Sequence, residues 1–150
     1  MNTILIAFIL LFPICYIIGS VNSSIILSRI YKLPDPRDYG SKNPGATNIL
    51  RSGNKILSLL ILLLDILKGF LPVLIAYYII EDKLYVQVAG VIAVLGHIYP
   101  IFYKFKGGKG VATAFGAILG FDIILGLICM ITWLITAFLF RYSALSAIVS

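Results

Sequence analysis

The stretch Ile56–Ile80 reads ILSLLILLLDILKGFLPVLIAYYII and carries Asp65 and Lys68 as its charged side chains. A helix that crosses a bilayer needs about 20 mostly apolar residues, so this stretch predicts a membrane-spanning helix. Asp65 and Lys68 are three residues apart and therefore share one face of that helix. Because charged groups at this depth normally pair or face a polar cavity, two roles stay open: a structural ion pair and a part in a functional site.

The composition extends this prediction to the whole chain. Of its 150 residues, 61% are hydrophobic and 12% are charged, whereas a soluble domain averages about half apolar and about a quarter charged. Further apolar runs are Ile4–Gly19 (to Ile26 if Asn22, Ser23 and Ser24 are tolerated), Leu84–Phe105, Val111–Phe140 and a last run after Arg141. These runs predict an all-α polytopic membrane protein that forms a single domain over residues 1–150.

The run Val111–Phe140 allows two interpretations. As one span it leaves Asp122 inside the membrane, whereas as a pair of helices, Val111–Gly120 and Ile123–Phe140, it places Asp122 in a turn. We favour the pair, because it continues the alternation of charge between successive loops.

The loop charges predict an orientation. Segments 29–55 and 104–110 are rich in Lys and Arg, whereas the intervening loop 81–83 holds two acidic residues and one lysine. Because basic loops stay in the cytoplasm, the N-terminus is predicted to lie outside and both basic loops inside.

Nothing basic precedes Ile4, which argues against a cleaved signal peptide. The net charge of +6 suits anionic lipid or anionic substrates and requires no nucleic acid.

The first basic loop contains GSKNPGATNILR at residues 40–51. Its glycines allow turns that point backbone N–H groups inward, and its Ser, Asn and Thr side chains are short hydrogen-bonding groups. Such a loop can cradle a phosphate. An ordinary connector remains the alternative, because the same residue types also form common turns.

The second basic loop reads KFKGGKG at residues 104–110 and directly precedes an apolar helical run. N–H groups at a helix start bind anions, and glycine lets a phosphate approach the main chain closely. The loop lacks the Walker pattern, so no nucleotide fold is implied. A positive-inside signal would explain the lysines but not the glycines, which favours anion binding.

His97 lies near the inner end of the third apolar run, where catalysis and simple packing are equally open. A His-x4-Asp pair would require Asp at position 102, but residue 102 is Phe. Conventional His/Asp base catalysis is therefore not supported.

Cys15 and Cys129 both fall in apolar runs and are predicted to be packing residues. No cluster of residues has metal-ligand spacing.

Three blocks of sequence together resemble the bacterial acyl-phosphate–glycerol-3-phosphate acyltransferase family. They are residues 40–48, residues 65–69 (DILKG), and Gly96-His97 with residues 107–113 (GGKGVAT). Their order and spacing match over essentially the whole chain, with Lys42 where Gly is more usual. The resemblance implies a seven-helix fold, of which this chain holds about the first five helices and the start of a sixth. Family members are longer, so the chain is expected to lack the C-terminal part.

The resemblance also implies an activity in the bacterial inner membrane, with the site facing the cytoplasm. A fatty acyl group would pass from acyl phosphate to the sn-1 hydroxyl of glycerol-3-phosphate, forming lysophosphatidic acid and opening phospholipid synthesis without a cofactor. His97 and Ser41 are the expected catalytic residues, with Asp65 and Lys68 as supporting polar groups. The expected phosphate-binding residues are Ser41, Asn43, Asn48, Arg51, Lys106, Gly107, Gly108, Lys109 and Gly110.

The expected partners are the two phosphate-bearing substrates and membrane lipid, and a soluble enzyme that makes acyl phosphate could dock on the inside loops. Two other functions remain open at this point. The first is a transporter or channel for small phosphate-type anions, and the second is a non-catalytic membrane subunit.

Overall fold

The computed structural model describes Leu5 and residues 7–150, and the residues it describes form helices and loops without a strand. The prediction of an all-α chain is confirmed. Ile4, the predicted start of the first apolar run, lies outside the described residues. The α-helices are α1 Phe12–Ser20, α2 Ser23–Ile30, α3 Ala46–Arg51, α4 Lys55–Ile79, α5 Lys83–Ile98, α6 Val111–Phe121, α7 Ile123–Phe140 and α8 Ser143–Val149. A π-helical turn, Ala7–Leu11, precedes α1, and a 3-10 turn, Ile101–Tyr103, follows α5.

The first apolar run is a broken helix. The chain bends by 44° between α1 and α2, and α2 restarts where the Asn22 side chain accepts a hydrogen bond from the Ile25 N–H at 3.0 Å. Lys68 Nζ donates to the Val21 carbonyl oxygen at 2.7 Å. This contact satisfies a carbonyl at the break, which matters because an apolar surrounding offers no water as a substitute.

Within the described part of the chain, three helical segments are long and apolar enough to cross a membrane: α4, α5 with its following turn, and α7. The bent α1–α2 pair would be a fourth, whereas α6 is shorter. Residues 111–140 form two helices, as predicted, and the break falls at Asp122. There the Asp122 carboxylate caps α7 by accepting from the Leu125 N–H at 2.9 Å.

Glycines bring α4 and α6 into direct backbone contact. A β-carbon on Gly69 would overlap the Thr113 carbonyl oxygen, and a β-carbon on Gly116 would overlap the Ile66 carbonyl oxygen. The two contacts are reciprocal, one from each helix. Small residues at a crossing are the usual device by which membrane helices pack closely. This crossing fixes the start of α6 against the middle of α4.

The outer faces of the bundle are strongly apolar. Four side chains of α7 are between 65% and 84% exposed, namely Ile123, Ile124, Phe138 and Leu139. Such a surface would be a liability in water but is suited to contact with lipid. Inside, Cys15 is buried and Cys129 is half-buried, and both are unpaired thiols. Their predicted role as packing residues agrees with these positions.

Candidate functional site

The first basic loop is organised around one buried side chain, Asn48. Its Oδ1 accepts from the Ser41 N–H at 3.0 Å, and its Nδ2 donates to the carbonyl oxygens of Pro36 at 2.8 Å and Tyr39 at 3.2 Å. Asn48 is only 1% exposed. Gly40 is required beside it, because a β-carbon there would overlap Asn48 Oδ1. Asn48 thus holds the loop in shape and has little hydrogen-bonding capacity left for a ligand.

Lys42, in the same loop, lies in the left-handed region with φ 56°. A residue with a β-carbon is strained in this region, whereas glycine is not. The conformation suits glycine, which the resemblance implies is more usual at this position.

We predict that Lys42→Gly raises the free energy of unfolding by about 1 kcal/mol, because it removes this strain. The unfolding midpoint in detergent measures the effect. Asn43→Gly is the matched control, since Asn43 is not among the residues with positive φ and gains no relief. Equal shifts in the two variants would contradict the explanation.

The second basic loop folds back over the end of α5. The N–H groups of Gly107 and Gly108 donate to the carbonyl oxygens of Ile98 and His97, each at 3.2 Å. Both glycines are sterically required, because a β-carbon on Gly107 would overlap the His97 carbonyl and one on Gly108 would overlap His97 Nε2. These two N–H groups are therefore already used within the protein. Gly110 precedes α6 with φ 81°, another position that favours glycine.

Four buried polar side chains meet between α4, α5 and α6. His97 Nδ1 and Thr113 Oγ1 are 3.1 Å apart, and Asp65 Oδ1 lies 4.0 Å from the same nitrogen. Asp65 also pairs with Lys68 at 2.9 Å. All four are at most 6% exposed. Because this ion pair is buried, removal of one partner would leave a costly isolated charge.

A cavity of about 640 Å³ opens beside this cluster and joins both basic loops. Its polar wall comes from the first loop and α3 on one side and from the start of α6 on the other. Its apolar wall comes from α4, α6 and α7. The predicted residues that line it are Ser41, Asn43, Arg51, Asp65, His97, Lys109 and Gly110.

The remaining predicted residues lie outside the wall of this cavity. Asn48 and Gly107–Gly108 shape the two loops, and Lys68 joins Asp65 to the break between α1 and α2. Lys106 is exposed at the surface. The charged pair on α4 is an ion pair, as one of the two alternatives predicted, and its carboxylate also lines the cavity; a role in a functional site stays a prediction. Among the described residues, no group of three or more His, Cys, Asp or Glu side chains could hold a metal ion.

Sequence reasoning assigned no role to Thr113, which contacts His97 beside the cavity, or to several residues that line it. The far wall comes from α7 and from the start of α8, where the lining residues are Met130, Trp133, Leu134, Tyr142, Ser143, Ala144 and Ala147. In the sequence, only the short polar stretch after Phe140 could have indicated that this region lines a cavity. The other residues look like ordinary lipid-facing side chains.

Arg37, which precedes the first loop's glycines, contacts the 3-10 turn. It pairs with Asp35 at 2.7 Å, and its guanidinium lies 6.0 Å from the centroid of the Tyr103 ring. The hydrogen bond from Arg37 lowers the pKa of the Asp35 carboxyl below its ordinary value. The pair is partly exposed, so its contribution to stability is small.

The helices and the cavity indicate an integral membrane protein in which basic residues and an apolar wall line one cavity. The family profile described as "Glycerol-3-phosphate acyltransferase" matches residues 9–150. The chain belongs to this family, as its three sequence blocks indicated.

Relatives named glycerol-3-phosphate acyltransferase support the assignment. The protein of Francisella tularensis subsp. holarctica is 53% identical over 135 residues, and that of Tolumonas auensis is 50% identical over 135 residues; each alignment covers 90% of this chain and 66% of the relative. The protein of Legionella pneumophila subsp. pneumophila is 48% identical over 143 residues, covering 95% of this chain and 52% of the relative. The chain thus spans about half to two thirds of the length of these relatives.

Two solved structures share the fold. They are crystal structures of PlsY (YgiH), described as an integral membrane glycerol 3-phosphate acyltransferase, in a glycerol 3-phosphate form and a lysophosphatidic acid form. The TM-scores are 0.84 and 0.82, with 38% identity over 92% of this chain and 69% and 68% of those chains. The prediction of a polytopic membrane protein is confirmed.

Proposed function

We propose that the protein transfers a fatty acyl group from acyl phosphate to the sn-1 hydroxyl of glycerol-3-phosphate, forming lysophosphatidic acid. The hydroxyl oxygen bonds to the acyl carbon, the bond from that carbon to the bridging oxygen breaks, and inorganic phosphate leaves with the hydroxyl proton. The observation that carries the proposal is the single cavity shared by Arg51, Lys109, His97 and an apolar wall. Such a site suits two phosphates and one hydrocarbon chain.

The catalytic contribution would be mainly positional and electrostatic. Acyl phosphate is a mixed anhydride with a good leaving group, and both substrates are anions that repel each other. Arg51 and Lys109 reach the cavity from different loops, so each can neutralise part of that charge. Val111 and Ala112, which also line the cavity, supply first-turn N–H groups of α6, the part of a helix that favours an anion. Holding both substrates in line can raise the reaction rate by many orders of magnitude.

His97 is better suited to supporting this arrangement than to acting as the general base. Its Nδ1 faces Thr113 and Asp65, and its Nε2 lies against Gly108. In our proposal, a substrate phosphate takes the proton of the attacking hydroxyl, and the histidine helps to shape the polar end of the cavity.

We predict that His97→Ala lowers the rate but leaves measurable turnover, with a loss of less than about 100-fold, the lower end of the range for a general base. Turnover of purified protein with palmitoyl phosphate and labelled glycerol-3-phosphate measures it. Thr113→Val keeps the shape of the neighbouring side chain and removes its hydroxyl, and we expect a smaller loss. Complete loss in His97→Ala, with folding and substrate binding intact, would count against proton transfer to a substrate phosphate.

The charges of the two basic loops support a cytoplasm-facing site and an outside N-terminus. In this orientation the site faces water-soluble glycerol-3-phosphate and any soluble enzyme that delivers acyl phosphate. Bacterial relatives make the plasma membrane the proposed location.

The experiment that tests the proposed function uses purified protein with palmitoyl phosphate and labelled glycerol-3-phosphate. Appearance of labelled lysophosphatidic acid supports acyl transfer. Sealed vesicles containing the protein separate the runner-up, because uptake of label without product would indicate an anion transporter. If neither labelled product nor uptake of label is detected, both acyl transfer and anion transport are contradicted.

A further inference from the structure

The segment that we call the 101–106 turn comprises the 3-10 turn Ile101–Tyr103 and the residues after it. Phe102 and Phe105 are 59% and 57% exposed, and Lys104 and Lys106 are exposed as well. Neither lysine forms an ion pair among the described residues, and neither lines the cavity of about 640 Å³. The proposed site therefore leaves two cations and two aromatic rings of this turn without a role.

The backbone of this turn is held in an unusual conformation. Lys104 and Phe105 are consecutive residues in the left-handed region, with φ 54° and 58°, which residues with a β-carbon rarely adopt. The Phe105 and Lys106 N–H groups donate to the carbonyl oxygens of Pro100 and Tyr103 at 3.0 and 3.1 Å, which closes the turn. Strained backbone of this kind is often found where a protein binds a ligand.

The turn lies where a spanning segment ends. The span formed by α5 and the 3-10 turn runs from Lys83 to Tyr103, so residues 104–106 follow it directly. Lipid headgroups meet the acyl chains at this level, where exposed aromatic side chains and lysines are common anchors. Aromatic rings can contact the hydrocarbon there, while the flexible lysine side chains extend toward lipid phosphates.

The charge of the surrounding sequence favours an anionic partner. No Asp or Glu lies between residues 84 and 121. The Asp35 carboxylate, which comes near the turn through the contact of Arg37 with Tyr103, is already paired with Arg37 at 2.7 Å. A soluble acidic protein could meet the lysines, but lipid is already present at the end of a spanning segment. Anionic lipid supplies both a phosphate for the lysines and hydrocarbon for the rings.

We propose that the 101–106 turn binds anionic phospholipid. Phe102 and Phe105 contact the acyl chains just below the headgroups, and Lys104 and Lys106 bind the lipid phosphate. A lysine near an anionic membrane surface strengthens the attraction by about fivefold. The inference does not depend on acyl transfer, because none of these residues lines the cavity.

Tryptophan fluorescence in vesicles tests the proposal. The chain has a single tryptophan, Trp133, so the signal of the unaltered protein can be subtracted from that of a Phe102→Trp reporter. The vesicles contain phosphatidylglycerol and phosphatidylcholine in equal amounts, and either one lipid or the other is brominated to quench the reporter. We expect both to quench, and the local ratio of phosphatidylglycerol to phosphatidylcholine to exceed the bulk ratio by about fivefold.

Tyr78→Trp is the matched control reporter. Tyr78 is an aromatic residue that is 85% exposed, and it lies in the last turn of α4, just before the loop 81–83 with its two acidic residues. Because no excess of positive charge lies next to it in sequence, the lipid ratio there should stay within about twofold of the bulk ratio.

Replacing both lysines separates their charge from the lipid contact of the rings. In the Phe102→Trp reporter, Lys104→Gln with Lys106→Gln should bring the lipid ratio within about twofold of the bulk, whereas Lys104→Arg with Lys106→Arg should keep the excess. Both side chains are exposed, so the unfolding midpoint should stay unchanged. If Phe102→Trp does not fold, Ile101→Trp supplies the reporter, since Ile101 is 52% exposed in the same turn.

Three results would overturn the proposal. Absence of quenching in the turn would mean that it faces water or a soluble partner. An equal lipid ratio, or an excess that survives the glutamine replacements, would remove the lysines from lipid binding. Loss of the excess when inorganic phosphate replaces chloride at constant ionic strength would show that the lysines bind free phosphate instead.

Discussion

Replacing Gly116 with alanine should destabilise the protein by more than about 3 kcal/mol and abolish activity. The added β-carbon would overlap the Ile66 carbonyl oxygen on α4. A flexible side chain could move aside, but here the backbones of two helices must separate, which exceeds the usual 1–3 kcal/mol cost of overpacking. The separation would also shift Thr113 away from His97. The unfolding midpoint and the yield of folded protein in detergent measure the effect.

Gly90→Ala is the matched control for this prediction. It makes the same change in a neighbouring helix, but its β-carbon would meet the Val73 and Ala117 side chains at 3.0 and 3.1 Å. Both variants gain the same helix propensity, roughly 1 kcal/mol. We expect Gly90→Ala to remain within about 1 kcal/mol of the unaltered protein, because those neighbours need to move by only a few tenths of an ångström. Similar midpoints for the two variants would contradict the backbone contact between α4 and α6.

Replacing Arg51 with alanine should lower kcat/KM by about 100-fold. Arg51 lies at the end of α3 and lines the cavity, as does Lys109. A charge-assisted hydrogen bond contributes about 1.5–3 kcal/mol, and a guanidinium can bind a phosphate through two N–H groups at once. Arg51→Lys should recover part of the loss only, because an ammonium keeps the charge but not the paired donors. Steady-state kinetics with each substrate varied in turn measures both variants.

Lys55→Ala controls for the loss of one positive charge. Lys55 lies at the start of α4, close to Arg51 in sequence, but it lines a separate surface groove of about 860 Å³ with Leu33, Tyr39 and Ile56. A general attraction of anions to the basic surface would make both alanine variants equally defective, particularly at low salt. We expect less than about a threefold effect in Lys55→Ala, since exposed charges outside a site contribute little. Equal defects would remove Arg51 from the proposed phosphate site.

The pair formed by Asp65 and His97 shows how the structure extends the sequence reasoning. Spacing along the chain excluded a His-x4-Asp pair, and that observation stands. The structure nevertheless brings a carboxylate within 4.0 Å of His97 from a different helix. The carboxylate is shared with Lys68 at 2.9 Å, so it is partly neutralised. This arrangement differs from one in which an aspartate is devoted to a histidine.

Local sequence was sufficient for α4, α5 and α7, because these helices are long and apolar. Asn22, Asn54 and Asp122 cap α2, α4 and α7 with side-chain hydrogen bonds to N–H groups three residues on. Such caps depend only on neighbouring residues. The two-helix interpretation of residues 111–140 rested on the alternation of loop charges, and the structure places the Asp122 cap at the predicted break. The break within the first run was not resolved, since the polar residues at its centre are tolerated in some spanning helices.

The sequence by itself also identified the two basic loops and most of their residues in the cavity. It could not separate residues that line the cavity from those that shape the loops. Asn48 and Arg51 are equally polar and three residues apart, yet only Arg51 lines the cavity, because Asn48 is hydrogen-bonded inside the loop. Whether a side chain meets the ligand or its own backbone depends on the path of the folded loop, which local composition does not specify.

Only the tertiary structure decided the far wall of the cavity. Trp133 lies within a continuous apolar run, where the sequence gives no reason to distinguish it from its lipid-facing neighbours. Packing of α7 against α6 turns this residue toward the cavity and leaves its N–H without an acceptor among the described residues. The apolar periodicity of a sequence predicts which residues are buried or face lipid. Contacts between helices that are distant in sequence determine which of these residues face a ligand.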